Sequence, residues 1–150
     1  MGRRLKLPAG SLLSIPSGPN RFAVGQVLIA GMVFYLGIDP EERESFGVNS
    51  PFAPKLFAWT TDGDVYRGVW KVIGSRPVVV SYPRPDYKVA RAGEMVVISF
   101  DGETIRPFDP DRDQNLCYRS SQSSPLIGDA VAALNGHGEW LPLYDKLVAR

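Results

Sequence analysis

One imidazole, His137, and one thiol, Cys117, are the only side chains of their kinds in the chain. Nucleophilic catalysis needs a base beside a Ser or Cys, and His137 is the single imidazole that could serve. It stands between Gly136 and Gly138, where a turn is expected, and the residues around Cys117 match no oxidoreductase or protease pattern. The chain has no G-x-S-x-G elbow, phosphate loop, H-E-x-x-H pair or dinucleotide fingerprint. Glu41, Glu42, Glu44, Glu94 and Glu103 are spaced like surface acids rather than a catalytic pair. Asp109, Asp111, Asp113 and Asn115 alternate as the oxygen ligands of a calcium loop do, but Gln114 replaces the glycine at position 6 and Ser120 the bidentate Glu at position 12. The stretch therefore reads as an acidic surface loop. No catalytic residue, metal or cofactor is expected, and the chain is read as a binding protein rather than an enzyme.

Charge is more informative in its distribution than in its sum. The 150 residues hold 17 basic and 16 acidic side chains, with 44% hydrophobic and 22% charged, the composition of a folded domain. Residues 66–91 contain Arg67, Lys71, Arg76, Arg84, Lys88 and Arg91 against Asp86 alone, a local balance of +5. Residues 39–44 and 101–115 are each at −3. Tyr66, Tyr82 and Tyr87 lie within the basic stretch, and cations among aromatic rings suit single-stranded nucleic acid. Complementary charged patches equally suit a protein partner, since they speed encounter and fix register.

The 15 glycines and 13 prolines punctuate the chain at short intervals, as in a protein of many short strands. Strands are expected at residues 11–15, 22–29, 32–38, 56–60, 65–73, 78–81, 95–100 and 103–106. Asp62-Gly63 and Asp101-Gly102 are expected to turn two hairpins, and residues 39–44 to form at most a solvated helical turn. Ser124 as N-cap and Pro125 at the first position open a helix that Asn135-Gly136 ends. A second amphipathic helix is expected over residues 140–148, with Pro142 in its first turn. The fold class is α+β, mostly β: a strongly bent antiparallel sheet or small barrel with two short C-terminal helices, in a single domain over residues 1–150. Pro8, Gly10 and Pro16 interrupt the segment after the basic start, so a signal peptide is not expected, and the apolar run 27–38 is too short to span a bilayer. The expected location is cytoplasmic.

Three segments together resemble a known family. Residues 10–16 form a strand ending Ile15-Pro16, residues 21–27 contain Gly25-Gln26-Val27, and residues 68–74 read G-x-W-x-x-I-G, with Gly68, Trp70 and Gly74. In that order they resemble the bacterial immunity protein 26 family, over roughly residues 9–85. The resemblance implies a β-rich protein that neutralises a cognate toxin of a polymorphic toxin system by stoichiometric occlusion, and it transfers no catalytic residue. Were the toxin a nuclease with a basic face, Glu41, Glu42, Asp109, Asp111 and Asp113 would be the residues to meet it. The alternative is a small-barrel module that binds single-stranded nucleic acid or a small ligand through Arg67, Tyr82, Arg84, Tyr87, Lys88 and Arg91. On physical grounds alone Trp70 is a core residue, Gln26 a buried amide in need of partners, and Gly25 and Gly68 sites of close approach or sharp bending.

Overall fold

Alternating apolar stretches separated by turn formers produce most of the expected strands. The computed structural model describes residues 7–29, 33–43, 45–47, 49–78 and 84–148. β1 (Ser11–Gly18), β2 (Arg21–Ile29), β3 (Phe34–Arg43) and β4 (Leu56–Thr60) are successive antiparallel neighbours. A short helix, α1 (Gly63–Tyr66), then leads to β5 (Lys71–Ser75), which pairs antiparallel with β1. β6 (Tyr87–Arg91), β7 (Glu94–Ile98) and β8 (Thr104–Pro107) form a separate antiparallel sheet. Ala92 and Gly93 turn its first hairpin with positive φ at both residues, the geometry that matches the strand twist. α2 (Pro110–Asp113), β9 (Ser121–Gln122), α3 (Ser124–Leu134) and a 3-10 helix (Pro142–Leu147) complete the chain. The main sheet has the order β5-β1-β2-β3-β4-β9, its last pair parallel.

The main sheet is the middle of three layers. On one face Leu13, Ile15, Val27, Leu36 and Ile38 pack with Ile127 and Val131 of α3, Leu147 of the 3-10 helix, and Trp70. On the other, Leu28, Phe57 and Trp59 pack with Tyr87, Ile98 and Phe100 of the second sheet. A sheet with two apolar faces must bury both, and these layers do so around β3 and β4.

Four expectations require correction. The sheet is bent but does not close into a barrel, because its ends, β5 and β9, are different strands that do not pair. The predicted hairpin at residues 61–64 is instead the start of α1. The Asp64 carbonyl accepts from both Val69 (2.8 Å) and Trp70 (3.0 Å), and its amide donates to Ser124 Oγ at 2.9 Å. These bonds hold the chain in a compact turn and release it as a strand only at Lys71, across the sheet from β4. Residues 39–43 are strand rather than helical turn. The buried Asp39 carboxylate accepts from the amides of Glu41 and Ala53 (both 3.0 Å) and from Arg43 (2.8 Å), and Asp39 and Arg43 pair with Val24 and Phe22 of β2. Finally, Val78 lies outside any strand, residues 79–81 lie outside those described, and the strand over Tyr87–Arg91 was not expected.

The C-terminal elements follow the sequence more closely. α3 covers the expected span with Ser123 in the cap position, one residue earlier and without a side-chain cap bond, while the Ser124 hydroxyl accepts from the Asp64 amide of α1. The last amphipathic stretch is a 3-10 helix, opened by Pro142.

Candidate protein-binding surface

Gln26 shows how the sheet end that carries β5 is built. Its buried side chain donates to the Arg76 carbonyl at 3.0 Å and to the Gly10 carbonyl at 3.4 Å, joining the segments that flank β1 and β5. Gly10, at φ +94°, lies so close that a Cβ there would sit 2.4 Å from the Arg76 carbonyl oxygen. Gly25 is a true close approach: a Cβ would stand 2.9 Å from Ile15 Cδ1. Gly68 is not. Nothing lies within 4 Å of it, and its role is the left-handed φ of +77° after α1. Trp70 is 1% exposed, as a core tryptophan should be.

From this frame β5 extends into solvent with every residue exposed. Opposite Leu12 and Leu13 of β1 stand Gly74 and Val72, which leaves Ile73 as an extra residue in a bulge. Two adjacent apolar side chains, Val72 and Ile73, are thereby 51% and 45% exposed. Val69, just before the strand, and Phe22 of β2 are also exposed. Phe22 and Ile73 share a cleft of about 140 Å³ with Phe46, Ser14 and the half-buried Arg43. The outer edge of β5 pairs with no described strand.

Of the acidic residues singled out in the sequence, Glu42 and Asp113 are engaged in ion pairs within the fold and Glu41, Asp109 and Asp111 are exposed. Glu42 lies 3.2 Å from Arg21 and 3.1 Å from His137, so His137 ties the turn after α3 to the end of β3. Glu41 is exposed and 3.0 Å from Arg43. Asp109 caps α2 by accepting from the Asp111 amide at 3.0 Å, and Asp111 is exposed. Asp113 is buried, accepts from the Asp109 amide at 3.0 Å and pairs with Arg106. The Asp109 amide, then the Arg106 guanidinium, hold its carboxyl below the ordinary carboxylate range. The Asp109 and Asp113 carboxylates thus bind the loop's own backbone and Arg106, and no group of three potential metal ligands occurs among the described residues.

The basic and aromatic residues do not form one open platform. Tyr87 is only 6% exposed and belongs to the core between the sheets, where burial pushes its hydroxyl pKa up. It is therefore unavailable for stacking on a base, contrary to its place in the nucleic-acid expectation. Arg84 pairs with Asp101 (2.9 Å), Arg91 donates to Thr104 Oγ1 and the Gly102 carbonyl, and Arg67 pairs with Asp64. Lys88 reaches the Gln114 carbonyl at 3.2 Å and sits 4.7 Å from the centre of the Tyr118 ring. Tyr82 lies outside the described residues. These cations tie loops to strands in different parts of the molecule.

Sequence reasoning missed that Phe22, Val69, Val72 and Ile73 are exposed, with Phe22 and Ile73 lining one cleft. One signal was present: Val72 and Ile73 are adjacent, and a regular strand cannot turn both toward one core. It also missed Arg119, whose guanidinium lies 3.8 Å over the Trp59 ring, itself stacked on Tyr35 at 4.1 Å. No helix among the described residues is long and apolar enough to cross a membrane. Comparison with protein-family models, with curated proteins and with solved structures finds no match to this chain.

Proposed function

We propose that this chain is a non-enzymatic, partner-binding protein of the immunity type, which neutralises a cognate bacterial toxin in the producing cell's cytoplasm by occupying its surface stoichiometrically. The observation that carries this reading is the set of exposed apolar residues at the β5 end of the sheet, of which Phe22 and Ile73 line one cleft. Val69, Val72, Ile73 and Phe22 are each at least 40% exposed on or beside a strand whose outer edge pairs with no described strand. Exposed apolar side chains gathered beside polar ones mark interaction surfaces, whereas the same residues scattered singly mean nothing. They contribute little to stability where they stand, so a bound partner is the natural reason for their character.

The resemblance of residues 10–16, 21–27 and 68–74 to immunity proteins supports the same reading and names the kind of partner. Two of those three segments, the first and the last, form β1 and β5. The contact surface proposed is accordingly the β5 end, in place of the acidic residues Glu42 and Asp113, which are held in ion pairs.

Co-expression tests the reading. The product of the gene immediately upstream is produced in a susceptible bacterium with and without this chain. Survival only in its presence is the expected result, and a purified one-to-one complex would follow. Cell death despite abundant soluble chain would overturn it.

A further inference from the structure

We infer that the β9 end of the main sheet carries a contact point for an acidic protein segment: the guanidinium of Arg119, held over the Trp59 ring, receives one carboxylate of that segment through two parallel N–H···O bonds. The site lies at the opposite end of the sheet order from β5 and does not rest on the toxin-binding reading.

The first observation is how Arg119 is held. Tyr35 of β3 stands opposite Trp59 of β4, and Trp59 opposite Ser121 of β9, two residues after Arg119. The rings of Tyr35 and Trp59 stack at 4.1 Å, and the guanidinium lies 3.8 Å over the Trp59 ring. Trp59 is buried and Arg119 exposed, so the guanidinium is the solvent-facing end of this row. A cation over an indole face is attracted by the ring, and a guanidinium placed in advance loses less freedom when it binds.

The second is what the guanidinium lacks. It has five N–H donors and no acceptor of its own, and no described residue accepts from them or forms an ion pair with it. Arg119 is the single charged side chain of residues 114–128, so no carboxylate of its own segment competes for it. Its fork of donors matches a carboxylate in bidentate geometry. The neighbouring Tyr118 is 61% exposed, and Tyr and Arg are both enriched at the energetic centres of protein interfaces.

The third selects a protein segment over a nucleic-acid strand. On and beside the second sheet, Arg84 and Arg106 are neutralised by Asp101 and Asp113, while Arg91 and Lys88 donate to oxygens of the fold. A nucleic-acid strand is held by a track of cations along its phosphates. One unpaired guanidinium suits one carboxylate instead.

The test titrates the intact chain, at low salt, with an end-blocked peptide of alternating Glu and Ala and separately with oligothymidylate of matched charge. The side-chain Nε–H resonance of Arg119, assigned by its loss in Arg119→Lys, should shift with the peptide. Arg119→Lys keeps the charge and removes the fork; it should weaken peptide binding roughly tenfold while leaving the urea unfolding curve unchanged. Lys55→Ala, an exposed cation before β4, should affect binding far less. Peptide binding that leaves the Arg119 resonance in place, no binding of the peptide, or equal binding by Arg119→Lys would overturn the proposal. Tighter binding of oligothymidylate at Arg119 would overturn it in favour of nucleic acid. Protection from the toxin bears on none of these outcomes, so this inference and the immunity reading fail separately.

Discussion

β4 and β5 are strands of equal length in one sheet, and they occupy opposite extremes of exposure. Every residue of Leu56–Thr60 is buried and every residue of Lys71–Ser75 is exposed. Both contain apolar residues that favour strands, so composition alone does not separate them. What separates them is cover. β4 has α3 and the 3-10 helix toward one face, the second sheet against the other, and a strand on each side. β5 has β1 alone. Apolar side chains on β4 are explained by the stability they provide. Those on β5 gain little from the fold, which is why the proposed contact surface is placed there.

This contrast can be broken most forcefully at β4. Phe57 is fully buried between the sheets, with its ring 5.4 Å from that of Phe100. Phe57→Ala should lower stability by about 3–5 kcal/mol, the usual cost of removing a core aromatic, as measured by urea unfolding. A loss below about 1 kcal/mol would mean that the second sheet is not firmly packed on the first.

Gln26 gives the next largest effect, since it joins the β1 and β5 ends. Gln26→Ala leaves the Gly10 and Arg76 carbonyls without its amide and should cost about 1–3 kcal/mol. Faster hydrogen exchange in β5 than in β4 would accompany the loss. Equal acceleration in both strands would contradict the role assigned to this amide.

Acid sharpens the comparison through the second sheet. Because the folded state holds the Asp113 carboxyl below its ordinary value, that group stabilises the protein above the ordinary carboxylate pKa of about 4, and its contribution is lost as pH falls through the lowered value. Asp113→Asn should therefore be less stable than the native chain at neutral pH, with the difference shrinking below about pH 4. Unfolding curves over this range check it. A difference independent of pH would show that Asp113 acts by hydrogen bonding alone.

The smallest stability effect is expected at β5 itself. Val72→Ser and Ile73→Ser should each change stability by no more than about 0.5 kcal/mol, as exposed substitutions do. A loss comparable to that of Phe57→Ala would place these residues in the core and remove the reason to assign them to a partner.

The elements that period and turn chemistry specify were legible in the sequence. β4 was placed residue for residue, β2 within one residue, and α3 from its proline and terminal Asn-Gly. Asp62-Gly63 misled because Asp-Gly starts a helical turn as readily as a hairpin when a distant group, the Ser124 hydroxyl, meets the next amide. Residues 39–43 misled for a similar reason: Asp39 reads as a surface acid until Ala53 and Arg43 are brought to it. Trp70 and Gln26 were legible as buried groups, because a large indole and an isolated amide in an apolar strand have few other places to be. The exposure of Val72 and Ile73 was not, since a bulge and the lack of a second neighbouring strand among the described residues decide it. Neither is written in local spacing.

Protection from the toxin by the Val72→Glu/Ile73→Glu double variant tests the central claim most directly. The variant should fold with native stability yet fail to rescue cells expressing the upstream gene, while the native chain rescues them. Full rescue by a folded double variant would contradict the assignment of the β5 end as the surface that meets the partner.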